Sequence, residues 1–368
     1  MRCLLTSDTL GGVWTFTREL TAELLLRGHR VALISFGRLP SASQSAWVKS
    51  IYLRYPGSFE YFASASTLEW MQDNQNAYAD GIGDLLRLLD RFLPDVVHAN
   101  QFCFGLLPRS VPVVVTAHSD VYSWARACDS NSLTWTRWLD DYREMVQRGL
   151  DNAATVVAPT RWMLEALGGD FLLRTPTYVI LNGRTLPVSP AADGPRHLRS
   201  VSVGRLWDKG KNLQLLYQAK LPMPVLLAGE LEFLEERAPS SRALEFLGYL
   251  DENSLLTLFR SSAVYLAPSL YEPFGLAPLE AAQCGCALLL YDLPSFREIW
   301  GDAALYFNDA PSLSDALAQL LSSSSLLYSL QQRATKRALQ LSASRMTDQY
   351  LAVYQSLLVP HESSHHAA

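Results

Sequence analysis

RCLLTSDTLGGVWTFTRELTAELLLRGHRVALISFG, residues 2–37, joins two short apolar runs through a stretch of helical spacing. Within that stretch Val13, Phe16, Leu20 and Leu24 recur at intervals that place them on one helix face. The flanking runs are apolar on both sides rather than alternating, as in parallel strands covered by helices above and below. The same unit repeats: DVVHAN (95–100), VPVVVTAH (111–118), TVVAPT (155–160) and YVILNG (178–183) are further strand-like runs, and residues 131–150 carry a helix pattern. The alternation predicts an α/β fold, a parallel sheet doubly wound by helices.

TLPVSPAADGPRH (185–197) interrupts this rhythm with three prolines and no hydrophobic period, and reads as a linker. Beyond it the alternation resumes with LRSVSVGRL (198–206), PVLLAG (224–229), LEFLGYL (244–250), AVYLAPS (263–269), ALLLYDL (287–293) and AALYF (303–307). The division is therefore residues 1–184, a linker at 185–197, a second domain at 198–343, and a closing helix at 344–360 that packs on either domain. Two Rossmann-like sheets would face each other across a cleft, with ligands at the carboxyl ends of the strands.

Composition narrows the function. Of 368 residues 49% are hydrophobic and 18% charged, the net charge is −5, and neither half has a basic excess. Nucleic acid is not an expected partner, and membrane association is at most peripheral. Five cysteines without C-x-x-C spacing read as small core residues of a reducing compartment. With no signal peptide before the first strand and no apolar run of spanning length, a cytoplasmic protein is expected.

Candidate chemistry begins in SLYEPFGLAPLE (269–280). Pro278 suits the first turn of a helix, so Gly275 and Leu276 would present backbone N–H groups at its positive end, an anion site suited to phosphate. Glu272 before the turn and Glu280 after it could accept hydrogen bonds from hydroxyls on either side of a bound diphosphate. The bland alternative is a turn and a favourable helix start. VGRLWDKGKNL (203–213) adds Arg205, Lys209 and Lys211 in the loop after the second domain's first strand, where arginine can grip phosphate bidentately.

These residues resemble the family 4 glycosyltransferases of the GT-B fold over nearly the whole chain. Glu272 and Glu280, with FGL (274–276) between them, match the family's E-x7-E pattern. Arg205 and Lys211 match its phosphate-binding pair; the commoner spacing is one residue shorter, which leaves Lys209 as a fallback. SDTLGGVWTF with Gly11 and Gly12, VVVTAHSD with His118, and VILNGR with Asn182 resemble its remaining signatures.

The resemblance implies a retaining sugar transfer from a nucleoside diphosphate sugar, a UDP-sugar favoured over a GDP-sugar, to an acceptor that is a saccharide, a lipid-linked saccharide or a small molecule. Glu280 would take the ribose hydroxyls. Phe274, Gly275 and Leu276 would contact the donor, and the backbone at Tyr249 and Leu250 would hold the base. Glu272 would orient the sugar and His118 would lie beside it. Arg205 and Lys211 would neutralise the departing diphosphate, approached by Gly11 and Gly12 on closure. The chain has no Asp-x-Asp, so no metal and no other cofactor is expected.

Trp14, Asp120 and Tyr122 are candidates for the acceptor side, with core packing and helix capping as their alternatives. Ser295 and Glu298 stand at capping-box spacing, which makes Glu298 structural. The rival functions are a nucleotide-sugar epimerase of the same fold and a nucleotide-sugar-binding protein without catalysis. A dinucleotide dehydrogenase is disfavoured because TSDTLGGVW lacks the G-x-G-x-x-G spacing.

Overall fold

The computed structural model describes residues 1–71, 77–107, 110–128, 137–186, 196–230 and 243–359. Strands β1 (Arg2–Asp8), β2 (Arg30–Phe36), β3 (Phe59–Ala63), β4 (Val96–Ala99), β5 (Val113–Thr116), β6 (Thr155–Ala158) and β7 (Thr177–Val179) form one parallel sheet in the order β3-β2-β1-β4-β5-β6-β7. Strands β8 (His197–Val203), β9 (Val225–Ala228), β10 (Leu244–Gly248), β11 (Ser262–Ala267), β12 (Ala287–Tyr291) and β13 (Ala304–Phe307) form a second, ordered β10-β9-β8-β11-β12-β13. The alternating readings of the sequence are thus realised as two doubly wound parallel sheets. Most of the expected linker (187–195), the start of the 131–150 helix pattern and the HESSHHAA tail lie outside the described residues.

Each sheet is buried on both faces, which is why its strands read as continuous apolar runs. In the first, Leu4, Ile34, Val97 and Val115 face one core while Leu5, Leu33, Val96 and Val114 face the other. In the second, Val201, Leu226 and Tyr265 lie opposite Val225, Leu227 and Val264. The closing helix, Ala343–Leu358, belongs to the first domain: Met346, Tyr350, Val353 and Tyr354 join the core beneath the Gly12–Leu26 helix. Tyr354 Oη lies 2.5 Å from His98 Nδ1, and Arg27 reaches Asp348 at 2.9 Å.

The strand order reverses between β1 and β4 in one sheet and between β8 and β11 in the other. Ligands of open α/β sheets bind at such reversals, outside the carboxyl ends of the strands. The loops leaving β1, β4, β8 and β11 carry Asp8 to Gly12, Asn100, Gly204 to Lys211, and Tyr271 to Gly275. The chain's candidate chemistry is therefore concentrated where the topology opens a crevice.

Candidate active site

The basic loop after β8 is tightly folded. Asp208 N–H donates to Arg205 O (2.9 Å), Lys211 N–H to Asp208 O (2.8 Å), and Gly210 N–H to the Asp208 carboxylate (2.8 Å). Leu270 N–H to Gly210 O (2.9 Å) and Asn212 Nδ2 to Pro268 O (3.1 Å) stitch it to the segment leaving β11. Gly204 permits this closeness, because a Cβ there would lie 2.8 Å from Lys211 Cε. Lys211 Nζ ends 2.5 Å from Glu272 Oε2, although the two residues are 61 positions apart.

Glu272 in turn adjoins the helix Leu276–Gln283. Gly275 opens that helix at φ 87°, a conformation that favours glycine, and no side chain caps it. A Cβ on Gly275 would sit 3.1 Å from Glu272 Cγ, so cation, carboxylate and helix start share one corner. Ser295 Oγ fixes the turn by donating to Glu272 O at 2.6 Å. Arg205 is exposed beside them, bonded to Asp208 at 2.9 Å with its guanidinium 5.4 Å from the Trp207 ring centre.

The first domain closes over this corner: Leu276 Cδ1 comes within 3.4 Å of a Cβ placed on Gly12. His118 packs edge-on against Phe16 at 4.6 Å, and its Nε2 lies 2.7 Å from Asn100 Oδ1. Asn100 Nδ2 donates to the Thr6 carbonyl, which can only accept, so the amide oxygen must face the imidazole. His118 therefore carries its proton on Nε2 and leaves Nδ1 as an acceptor. Burial lowers both His98 and His118 to about 3, with His98 adding to the effect at His118, so both rings are neutral at pH 7. His118 is thus equipped to accept a hydrogen bond, not to act as an imidazolium acid. Asn100 is not among the sequence candidates, and nothing in its local pattern marks it.

Asp8, at the end of β1, is a second group that the sequence leaves unmarked. It is buried, accepts from Leu10 N–H at 3.0 Å, and burial pushes it up to about 7 despite that bond and the charge of Arg205 across the cleft.

Several sequence candidates take other roles. Trp14 is only 6% exposed and packs edge-on with Trp47 (5.6 Å) and Tyr61 (6.3 Å), so it is a core residue and not an acceptor platform. Tyr122 is partly buried, donates to Leu139 O (3.2 Å) and packs on Phe171 and Arg143. Asp120 is occupied as a helix cap, accepting from Ser123 N–H (2.9 Å) and Oγ (2.5 Å). The Phe274 side chain is buried in the second core, leaving only its backbone near the turn. Leu250 packs on that core while Tyr249 is 67% exposed, both just past the edge strand β10. Lys209 begins the turn that Lys211 ends.

Glu298 does not cap its own helix. It accepts from Arg161 N–H (2.7 Å) and Trp162 N–H (3.0 Å), capping a helix of the other domain. Other bridges accompany it: Trp124 Nε1 to Asp208 (3.1 Å), Thr160 Oγ1 to Pro273 O (2.9 Å), and buried Tyr271, whose hydroxyl lies 3.0 Å from Ser119 Oγ and 2.8 Å from Ser123 Oγ. Among the described residues no three His, Cys, Asp or Glu side chains gather as metal ligands would, and no helix is long and apolar enough to cross a membrane. The corner instead offers side-chain cations and an open helix start to an anion, with carboxylates beside them for hydroxyls.

Comparison with known proteins gives the family. Residues 10–186 match the family described as Glycosyltransferase Family 4, and residues 199–338 match Glycosyl transferases group 1. A phosphatidyl-myo-inositol mannosyltransferase of Mycolicibacterium smegmatis is 26% identical over 97% of this chain and 93% of its own length. The O-antigen chain mannosyltransferase B of Escherichia coli is 32% identical over 40% of this chain and 43% of its own. In fold, the sucrose-phosphate synthase of Thermosynechococcus elongatus superposes with a TM-score of 0.75 at 16% identity, covering 97% of this chain and 99% of that one. The protein is a glycosyltransferase of the GT-B fold and belongs to family 4.

Proposed function

We propose that the protein moves a hexosyl residue from a nucleoside diphosphate sugar to a hydroxyl of a saccharide or lipid-linked acceptor, with retention at the anomeric carbon and without a metal ion. The observation that carries the reading is the Lys211–Glu272 pair at the uncapped start of the Leu276–Gln283 helix. A bound diphosphate would draw Lys211 and Arg205 to itself and take the helix N–H groups, releasing Glu272 for the sugar hydroxyls. Glu280 would hold the ribose and His118 Nδ1 would accept from the sugar on the other side. Retention is what membership of family 4 implies. Mannose is the favoured sugar because both curated relatives above are mannosyltransferases.

A thermal-shift panel of UDP, GDP and their glucose and mannose esters tests this directly. A ligand at a hundred times its dissociation constant adds about 2.7 kcal/mol of stability, a clear rise in melting temperature. The base and sugar of the best stabiliser name the donor, and a flat response to all of them would refute the reading. Transfer should survive EDTA; a strict need for a divalent ion would refute the assignment of charge neutralisation to Arg205 and Lys211.

A further inference from the structure

Arg184 is 2% exposed, yet its guanidinium is surrounded by three carboxylates drawn from both domains. Its Nε lies 2.8 Å from Glu280 Oε1, its Nη2 bonds Glu252, and its Nη1 lies 3.3 Å from Glu19 Oε1. Glu280 is on the cleft helix of the second domain, Glu252 starts the helix Glu252–Ser261 of the same domain, and Glu19 is on the Gly12–Leu26 helix of the first. Arg18 closes the cluster with a bidentate grip on Glu252 at 2.7 and 2.9 Å. Arg184 itself sits where the chain crosses between domains: its N–H donates to Leu341 O (3.0 Å), and Gln283 of the cleft helix holds its carbonyl (2.7 Å).

Two arginines face three carboxylates, so one negative charge is left over. The Glu280 contact is an ion pair without an aligned N–H, since Arg184 Nε has no hydrogen-bond acceptor in line. Among the described residues no donor hydrogen-bonds the Glu280 carboxylate, although it is only 9% exposed. Such a group has unfilled lone pairs, which take hydroxyl donors best when it is ionised.

We infer that Arg184 is a positioning residue for the donor: its ion pair favours the carboxylate form of Glu280 and aims it for the sugar-nucleotide's hydroxyls, and by sharing Glu19 and Glu252 it ties that carboxylate to the seating of the two domains. The inference rests on the reading of Glu280 as the donor carboxylate. The pKa of Glu280 is raised overall, with burial the largest cause; Arg184 and Arg18 facing it oppose the rise, while Glu252 and Glu19 add to it. Tyr265 and Cys284 beneath are kept neutral by burial.

The test is calorimetric titration of the full chain with UDP and with GDP across pH 5 to 9. Arg184→Met should weaken binding about ten- to hundredfold and move the low-pH loss of affinity to higher pH, because Glu280 then ionises unaided. A residue that merely braced the fold would lower the melting temperature without moving that limb. Glu19→Gln carries the test even if Arg184→Met does not fold: deleting a neighbouring negative charge should move the limb to lower pH, and an unmoved limb overturns the inference. Glu280→Gln separates the two levels. If it binds both nucleotides as the parent does, the donor reading of Glu280 fails; if it loses binding while Arg184→Met keeps parental affinity and pH profile, only the role of Arg184 fails.

Discussion

Lys211→Ala should slow sugar transfer on the order of a hundredfold or more while leaving the melting temperature nearly unchanged. A fixed cation aimed at charge that develops on a leaving group is worth about 3–4 kcal/mol in the transition state. In the ground state Lys211 forms an ion pair with Glu272 at a partly exposed site, which contributes little to folding. The loss should therefore fall on kcat more than on KM. Arg205→Ala should behave alike. The double variant should lose less than the product of the two, because both side chains neutralise the same diphosphate. Steady-state kinetics with the donor found by thermal shift read all three, and parental kcat in the Lys211→Ala enzyme would remove the lysine from the mechanism.

Asp8→Asn should raise the melting temperature at pH 8 and change it little near pH 4. The folded protein holds this carboxyl at about 7, against 3.8 for the free side chain. Between those values the folded state keeps a proton that the unfolded chain releases, so stability is fully present below about pH 4 and is lost as pH rises through about 7. A pKa difference of one between the two states corresponds to about 1.4 kcal/mol, so the charged form costs on the order of 4 kcal/mol well above pH 7. Asparagine still accepts from Leu10 N–H but cannot ionise. Melting curves of both proteins across pH 4 to 9 should converge at the acid end and separate above pH 7. Coincident curves, or a less stable variant at pH 8, would show that the Asp8 carboxylate has a compensating partner. A carboxylate maintained at this cost stands where the first sheet's reversal point meets Arg205, which is where function would retain it.

The parts of the site that are legible in sequence are those whose chemistry is local. Glu272, Gly275 and Glu280 lie within one turn and helix start, and Arg205 and Lys211 within one loop, so spacing alone aligns them. The sheets are legible because burial on both faces leaves unbroken apolar runs; the short edge strand Phe59–Ala63, with Glu60 in it, does not make such a run. Arg184, Glu19, Glu252 and Glu280 come from four separate segments, and no periodicity announces that they meet. Trp14 shows the opposite failure. It follows Gly12 by two positions, but a helix turns about 100° per residue, which carries it to the far, buried face. Glu298 misleads for a related reason: capping-box spacing is a local rule, and the helix start that needs its carboxylate belongs to the other domain.

The central claim is that a leaving diphosphate is held between the start of the Leu276–Gln283 helix and the Arg205 and Lys211 side chains. A crystal structure of the protein with its nucleoside diphosphate measures this directly. The account predicts phosphate oxygens within hydrogen-bond distance of the Gly275 or Leu276 N–H and of Lys211 Nζ, with the Lys211–Glu272 contact broken. A diphosphate bound elsewhere, with that contact intact, would contradict it.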